Sequence, residues 1–244
     1  MTASERKFLG MLTPSSNTIL EPVTSAMLAG TPDITGHFGR FRVTEISLGE
    51  RALGQFDSEP MLAAAELLAD AHAHSICWNG TSAGWLGFDR DEVLCAAITE
   101  RTGVPACSSV LAINEIFQRT GVKRFGLVSP YLDNVQEKII SNYAASGWEC
   151  AAEEHLKLSV NFSFSEVSQD QISAMIRKVA ESKPDAIVVF CTNLIGGPVV
   201  EALEAEIGIP IYDTVQTAVW SSMRVAGADP ARIKGWGSLF SALS

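Results

Sequence analysis

An internal repeat constrains the fold of this chain more than any other feature of its sequence. Three segments of the first half recur in the same order in the second half, with offsets that shrink slowly along the chain. LGMLTPSSN (9–17) matches FGLVSPYLD (125–133), ICWNGTSAG (76–84) matches VVFCTNLIG (188–196) with Gly80 set on Cys191, and TERTGVPACSSV (99–110) matches EAEIGIPIYDTV (204–215). Such ordered self-similarity predicts two lobes of related architecture that arose by duplication.

Within each half, short apolar runs alternate with helix-forming segments. The predicted strands are 8–13, 75–78, 125–129 and 186–190. The predicted helices are 59–74, 89–101 with Asp89 as its N-cap, 132–145, 169–182, and 198–207 closed by Gly208. This alternation is typical of parallel sheets covered by helices. We therefore predict an α/β fold of two pseudo-symmetric lobes, each a parallel sheet flanked by helices, with the active site in the cleft between them.

Four loops at the predicted strand ends share one cleft if the two lobes face each other, because ligands of open parallel sheets bind beyond the carboxyl ends of the strands. The loops are 13–17, 80–84, 129–134 and 191–196. They are rich in Ser, Thr, Asn, Tyr and Gly, they contain no Lys or Arg, and their one carboxylate is Asp133. Such a surface suits an anion that is held by hydroxyl and backbone N–H groups.

Composition argues against several other classes of function. The net charge is −10 and no Lys/Arg-rich run is present, which argues against nucleic-acid binding. No apolar stretch approaches a membrane span and no secretory segment opens the chain, so we expect a cytoplasmic protein without membrane contact. The five cysteines include no C-x-x-C pair, and His72 and His74 do not share a helix face, so no metal site is expected. Neither G-x-G-x-x-G nor G-x-x-x-x-G-K occurs, and no cofactor is implied.

The repeat, the CTN at 191–193 and the opening TPSSN resemble the aspartate/glutamate racemase superfamily over nearly the whole chain. The most similar branches are maleate cis–trans isomerase and arylmalonate decarboxylase. By this resemblance the C-terminal tail returns to the first lobe, giving one lobe of residues 1–115 with 216–244 and another of 116–215. The resemblance also implies an enzyme acting on a small carboxylic acid, and it leaves a homo-oligomer open.

The superfamily's racemases place one cysteine at the end of a matching strand in each lobe, one to remove a proton and one to return it. The second position is kept here as Cys191, whereas the first is occupied by Gly80. Cys77 lies three residues earlier, which puts it about 10 Å back along the strand and on the other face. Cys77 is therefore predicted to be a core residue, and Cys95, Cys107 and Cys150 are predicted to have structural roles.

The resemblance assigns further site residues from both branches. Gly80, Thr81 and Ser82 match the single-cysteine decarboxylase branch, in which Thr, Ser and the tyrosine of a Tyr-x-Asp motif, here Tyr131, surround an enediolate. The segment GWGSLF at 235–240 also resembles that branch. Asn17 and Asn161 match positions that bind substrate carboxylates in the isomerase branch. For each of these residues the alternative is a purely structural role, as a helix cap or as a packed side chain.

The residues suggest a proton-transfer mechanism. Neutral donors fixed in a water-poor cleft stabilise an enediolate, and the N–H groups of Thr192 and Asn193 are expected to add to the hydroxyls. Cys191 then delivers a proton, and its place at a strand end before a helix predicts a lowered pKa. Three hypotheses remain: decarboxylation of a malonate-like acid, favoured by Gly80; isomerisation or racemisation, favoured by the two asparagines; and non-catalytic binding of a small acid.

Overall fold

The computed structural model describes residues 6–49, 52 and 54–243 of the chain. The described residues contain two four-stranded parallel sheets. The first sheet consists of β1 (Lys7–Pro14), β2 (Ile34–Phe41), β3 (Ser75–Trp78) and β4 (Ala106–Ser108) in the order β2-β1-β3-β4; the second consists of β5 (Arg124–Ser129), β6 (Glu149–His155), β7 (Ala186–Val189) and β8 (Ile211–Asp213) in the order β6-β5-β7-β8. The two sheets have the same topology, which confirms the predicted pair of pseudo-symmetric lobes.

Helices connect the strands and cover the sheets. They are α1 (Leu20–Leu28), α2 (Ser58–Asp70), α3 (Ala83–Leu86), α4 (Phe88–Thr102), α5 (Ser109–Thr120), α6 (Asp133–Ala145), α7 (Gln169–Ala180), α8 (Val200–Ile207), α9 (Thr214–Val225) and α10 (Leu239–Ala242), with short 3-10 helices at Gly54–Phe56, Asn161–Glu166, Gly197–Val199 and Pro230–Arg232. Within the described ranges, no helix is both long and apolar enough to cross a membrane.

Several predicted helix ends need correction. α2 ends at Asp70 instead of residue 74, because His72 adopts a left-handed backbone conformation with φ of 54°. α4 begins at Phe88 after Gly87, so Asp89 lies in its first turn and is not the N-cap. α7 ends two residues earlier than predicted, and α8 begins at Val200 because residues 197–199 form a 3-10 turn. Gly208 closes α8 in the left-handed conformation, as predicted.

The repeat is visible at the level of single hydrogen bonds. Ser108 and Asp213, which the repeat aligns, each cap the helix that follows them. The Ser108 hydroxyl accepts the N–H of Leu111 at 3.1 Å, and Oδ1 of Asp213 accepts the N–H groups of Val215 at 2.9 Å and Gln216 at 3.3 Å. Equivalent positions therefore carry equivalent caps in the two lobes.

The helices α5 and α9 each reach across to the opposite sheet. The Phe117 ring of α5 packs 5.5 Å from the ring of Phe125 on β5, measured between centroids. In α9, the Ser222 hydroxyl lies 2.7 Å from that of Ser75 on β3. The predicted lobe boundaries after residues 115 and 215 fall within these two helices.

The lobes are closely joined above the strand ends. Glu45 and Val160 form an antiparallel bridge, in which the Ile46 N–H donates to the Ser159 carbonyl at 2.8 Å. A Cβ atom on Gly84 would lie 2.5 Å from Cζ of Phe190, so the absence of a side chain at Gly84 lets α3 approach the second lobe. The two lobes thus enclose the space between them.

Candidate active site

A small cavity lies between the lobes at the ends of β3 and β7. Its polar lining comprises Gly80, Thr81, Ser82, Tyr131, Asn161, Cys191 and Thr192, and its apolar lining comprises Pro14, Val43, Ile46, Phe56, Trp78 and Trp85. All of the predicted site residues except Asn17 and Asn193 are therefore brought together. The cavity volume is about 20 Å³, which is room for roughly one water molecule.

Cys191 lies just beyond β7 and is almost fully buried. The Asn193 N–H points at its sulfur, with an N···S distance of 3.4 Å. Burial raises the pKa of the Cys191 thiol to about 12, although hydrogen bonds from the Asn193 N–H and the Tyr131 hydroxyl act in the opposite direction. The prediction of a lowered pKa is therefore wrong, because desolvation outweighs the local donors. At neutral pH the group is a thiol and can donate a proton.

Tyr131 and Thr81 form a buried hydroxyl pair across the cavity, with 2.6 Å between Oη of Tyr131 and Oγ1 of Thr81. Burial keeps the pKa of Tyr131 well above its ordinary value, so the phenol stays neutral and retains its proton. The rings of Trp85 and Phe164 contact the Tyr131 ring edge-on, at centroid distances of 5.2 and 5.7 Å. The Gly80 carbonyl accepts a hydrogen bond from the Ser109 hydroxyl at 2.6 Å, which fixes the loop that contains Gly80.

The Asn17 side chain bridges the two lobes behind this cavity. Its Oδ1 accepts the N–H groups of Ile19 at 3.0 Å and Leu20 at 2.9 Å, at the start of α1. Its Nδ2 donates to the carbonyl and the hydroxyl of Thr192, both at 3.1 Å. Both ends of the amide are thus engaged within the protein, and a role in substrate binding stays a prediction.

Asn193 and Asn161 extend this bridge. Oδ1 of Asn193 accepts the N–H groups of Thr18 at 3.0 Å and Ile19 at 3.3 Å, and its Nδ2 donates to the Asn161 carbonyl at 2.6 Å. The Asn161 Nδ2 in turn donates to the Ser16 hydroxyl at 2.8 Å. These contacts join the first lobe to the second and hold the cleft closed.

Sequence reasoning missed most of the apolar cavity wall: Val43, Ile46 and Phe56, and the two tryptophans Trp78 and Trp85. Both are buried, and neither indole N–H has a hydrogen-bond partner among the described residues. An aromatic side chain at a strand end is usually a core residue, so the sequence contained no direct signal for this role. Their position on either side of Gly80-Thr81-Ser82 was the one available indication.

The remaining cysteines and Asp133 lie away from the cavity. Cys77 is fully buried on β3, where it pairs in register with Cys107 on β4. Asp133 is exposed and lies 2.6 Å from Nε2 of His155 and 2.9 Å from Nζ of Lys157. In the part of the chain that the structure describes, no three His, Cys, Asp or Glu side chains are grouped so as to hold a metal ion.

Asp213, the cap of α9, predicts a pH-dependent stability. Burial raises its pKa to about 7 despite the two N–H groups that it accepts, and its Oδ2 has no partner within the described ranges. The unfolded state ionises near pH 4 and the folded state near pH 7, so this group makes the protein less stable as pH rises from 4 to 7. We expect the change in unfolding free energy caused by Asp213→Asn to be more favourable at pH 8 than at pH 5, by roughly 2 to 3 kcal/mol.

Urea unfolding of the wild type and of Asp213→Asn at pH 5 and pH 8 measures this difference. Asp185→Asn is the control, because the N–H groups of Arg124 and Lys123 lower the pKa of Asp185 and its ionised form is the favoured one. That variant should lose stability at pH 8. An Asp213→Asn effect that is the same at both pH values would contradict the assignment of a buried, proton-binding carboxyl.

Comparisons with known proteins agree with this architecture. A maleate isomerase of Nocardia farcinica is 26% identical over 238 residues, which cover 95% of this chain and 94% of that protein. The arylmalonate decarboxylase of Bordetella bronchiseptica is 24% identical over 240 residues, with 95% of each covered. Both similarities extend over nearly the full length of each protein.

A solved structure shares the fold. A cysteine variant of the Nocardia farcinica maleate cis–trans isomerase, with a covalently bound succinylcysteine intermediate, superimposes with a TM-score of 0.88 at 24% identity, covering 98% of this chain and 99% of that one. The family model for arylmalonate decarboxylase matches residues 17–240. That match spans both lobes and every residue of the cavity wall except Pro14. The chain therefore belongs to the arylmalonate decarboxylase family of enzymes, alongside relatives that include maleate isomerases.

Proposed function

We propose that the chain is a cofactor-independent decarboxylase of a malonate-type acid, with Cys191 as the proton donor. The observation that carries this proposal is the combination of a protonated thiol and a buried hydroxyl pair, Thr81 and Tyr131, in one cavity. No second cysteine lines this cavity among the described residues. One acid and several neutral donors are the groups that decarboxylation with a single protonation requires.

In the proposed reaction the bond between the α-carbon and one carboxylate breaks and CO2 leaves. The electron pair stays on the α-carbon and is delocalised into the second carboxylate as an enediolate. Hydroxyl groups of Thr81, Ser82 and Tyr131 donate to its oxygens, which in a closed site is worth several kcal/mol. The Cys191 thiol then transfers its proton to the α-carbon, and the resulting thiolate takes a proton from solvent.

Substrate binding requires a rearrangement of this cavity. A volume of about 20 Å³ is far smaller than the several hundred Å³ of typical ligand sites. The polar groups that would hold a carboxylate also bond one another, as Thr81 does with Tyr131 and Asn161 with Ser16. We infer that the acid enters through an opened cleft and replaces these internal hydrogen bonds.

The division into lobes of residues 1–115 with 216–244 and of 116–215 is part of this proposal. Contact of α9 with β3 through Ser222 and Ser75 supports the return of the tail to the first lobe. Each of the helices α5 and α9 contacts residues of both sheets and so joins them.

The second candidate function is isomerisation of maleate or racemisation of a small acid. Asn161 lines the cavity, and several maleate isomerases are similar to the chain over nearly its full length. A racemase would need a second acid–base group in the cavity. An isomerase would need the Cys191 sulfur to react with the substrate as a nucleophile, whereas the decarboxylase uses the thiol as a proton donor. A non-catalytic small-acid binder remains the third candidate, although a buried thiol adds little to carboxylate binding.

Incubation with phenylmalonate, maleate and L-aspartate in D2O, followed by NMR, separates these functions. We expect phenylmalonate to yield phenylacetate and CO2, with maleate and L-aspartate unchanged. Conversion of maleate to fumarate, or exchange of the aspartate α-hydrogen, would replace the decarboxylase with an isomerase or a racemase. Binding of an acid without any conversion would support the binder.

A further inference from the structure

Trp78, the last residue of β3, occupies the space that a side chain at position 80 would need. A Cβ atom on Gly80 would lie 1.9 Å from Cζ2 of the indole, 2.3 Å from Cη2 and 2.5 Å from Cε2. Contacts this short do not occur between real atoms, so an indole in this position and a side chain at position 80 exclude each other.

The indole also brings an unused hydrogen-bond donor to the cavity. Nε1 is bonded to Cε2, so the N–H belongs to the ring edge that lies against Gly80. It is buried and has no partner within the described residues. A buried donor without a partner is unfavourable, and most native examples find one. By contrast, the buried Trp220 donates its indole N–H to the Leu243 carbonyl at 2.9 Å.

We propose that Trp78 takes the place of a side chain at position 80, with its N–H binding a substrate carboxylate and its ring excluding a second acid–base group. The inference rests on the proposed function of the cavity around Cys191. Indole nitrogen donates a hydrogen bond but does not accept a proton. The first lobe therefore contributes binding at this point and no proton transfer, so the α-carbon is protonated from the Cys191 side alone.

The same side chain separates two cavities. Trp78, Phe56 and Ser82 line the small cavity and also a neighbouring one of about 530 Å³ between α2 and α4. The indole thus limits the size of the small cavity on this side. A smaller side chain at position 78 is expected to join the two spaces and to leave room for a side chain on residue 80.

Binding of succinate, a dicarboxylate that cannot decarboxylate in this way, tests the donor role. We expect Trp78→Phe to bind succinate about 10- to 100-fold more weakly in calorimetry, with an unchanged or higher Tm without ligand. Trp220→Phe is the matched control and should show the reverse: a lower Tm and wild-type affinity. Equal affinity in Trp78→Phe and wild type would overturn the inference alone, whereas a wild type that neither binds succinate nor decarboxylates phenylmalonate would overturn the proposed function as well.

A double-mutant cycle tests the steric role without using activity. Gly80→Cys should lower the Tm by several degrees in the wild-type background, because the new side chain collides with the indole. In a Trp78→Leu background the same substitution should cost clearly less, since the space has been vacated. An equal loss of Tm in both backgrounds would show that the indole does not exclude a side chain at position 80.

Discussion

Cys191→Ala is expected to lower kcat by about 10²- to 10⁴-fold, the range that a positioned general acid contributes. The Tm should stay close to that of the wild type, because the sulfur borders an existing cavity and the donors that lose it, the N–H groups of Asn193 and Leu194 and the Tyr131 hydroxyl, lose only a weak acceptor. Steady-state rates with phenylmalonate and a thermal melt measure the two quantities.

Cys77→Ala is the control for this prediction. Cys77 is fully buried in the first sheet and does not line the cavity. Its truncation should lower the stability by about 1 kcal/mol through lost packing while kcat is preserved. Full activity in Cys191→Ala, or loss of activity in Cys77→Ala at unchanged stability, would show that Cys191 is not the proton donor.

The pH dependence of the same reaction follows from the raised pKa of Cys191. With a pKa of about 12, the thiol stays protonated throughout the neutral and mildly alkaline range. An acid that remains protonated imposes no alkaline fall in rate. We expect the kcat profile to show no decrease between about pH 7 and pH 9. A fall centred near pH 8 would indicate a thiol that is much less buried in the complex.

Tyr131→Phe is expected to lower kcat by about 10²- to 10³-fold, the cost of one oxyanion donor in a closed site. The substitution keeps the ring, and with it the edge-on contacts to Trp85 and Phe164. It removes the hydroxyl that pairs with Thr81 at 2.6 Å. Because the donor acts mainly on the charge that develops during reaction, KM should change much less than kcat.

Tyr143→Phe provides a matched control on α6. Its ring is equally buried, within an aromatic cluster that includes Phe117 and Trp148, and its hydroxyl has no partner among the described residues. Loss of that hydroxyl should leave kcat unchanged and should not lower the Tm. Similar losses of kcat in both variants would mean that Tyr131 acts through packing and not through its hydroxyl.

The repeat made the fold and most of the cavity predictable, since matching strand ends of two facing lobes must converge. Cys191, Thr81 and Tyr131 follow from that argument. The strands β2 and β6 were missed because each carries His, Arg or Glu residues and lacks a continuous apolar run. The short strands β4 and β8, with three residues each, gave too little pattern to be recognised.

The properties that sequence reasoning did not predict depend on contacts between distant segments. The pKa of Cys191 is raised because the lobes close over it, and a local motif carries no information about that closure. The orientation of the Trp78 indole depends on its packing against Phe41 and against the loop that contains Gly80. The Asn17 amide is engaged by Thr192 of the other lobe, a partner 175 residues away.

The most direct test of a single proton donor on one face is the product of 2-methyl-2-phenylmalonate in D2O. This acid is prochiral, and its decarboxylation creates a stereocentre at the carbon that is protonated. If Cys191 alone delivers the proton, the 2-phenylpropionate formed will be one enantiomer with a single deuterium at the α-carbon. A racemic product would require protonation from both faces and would contradict the account.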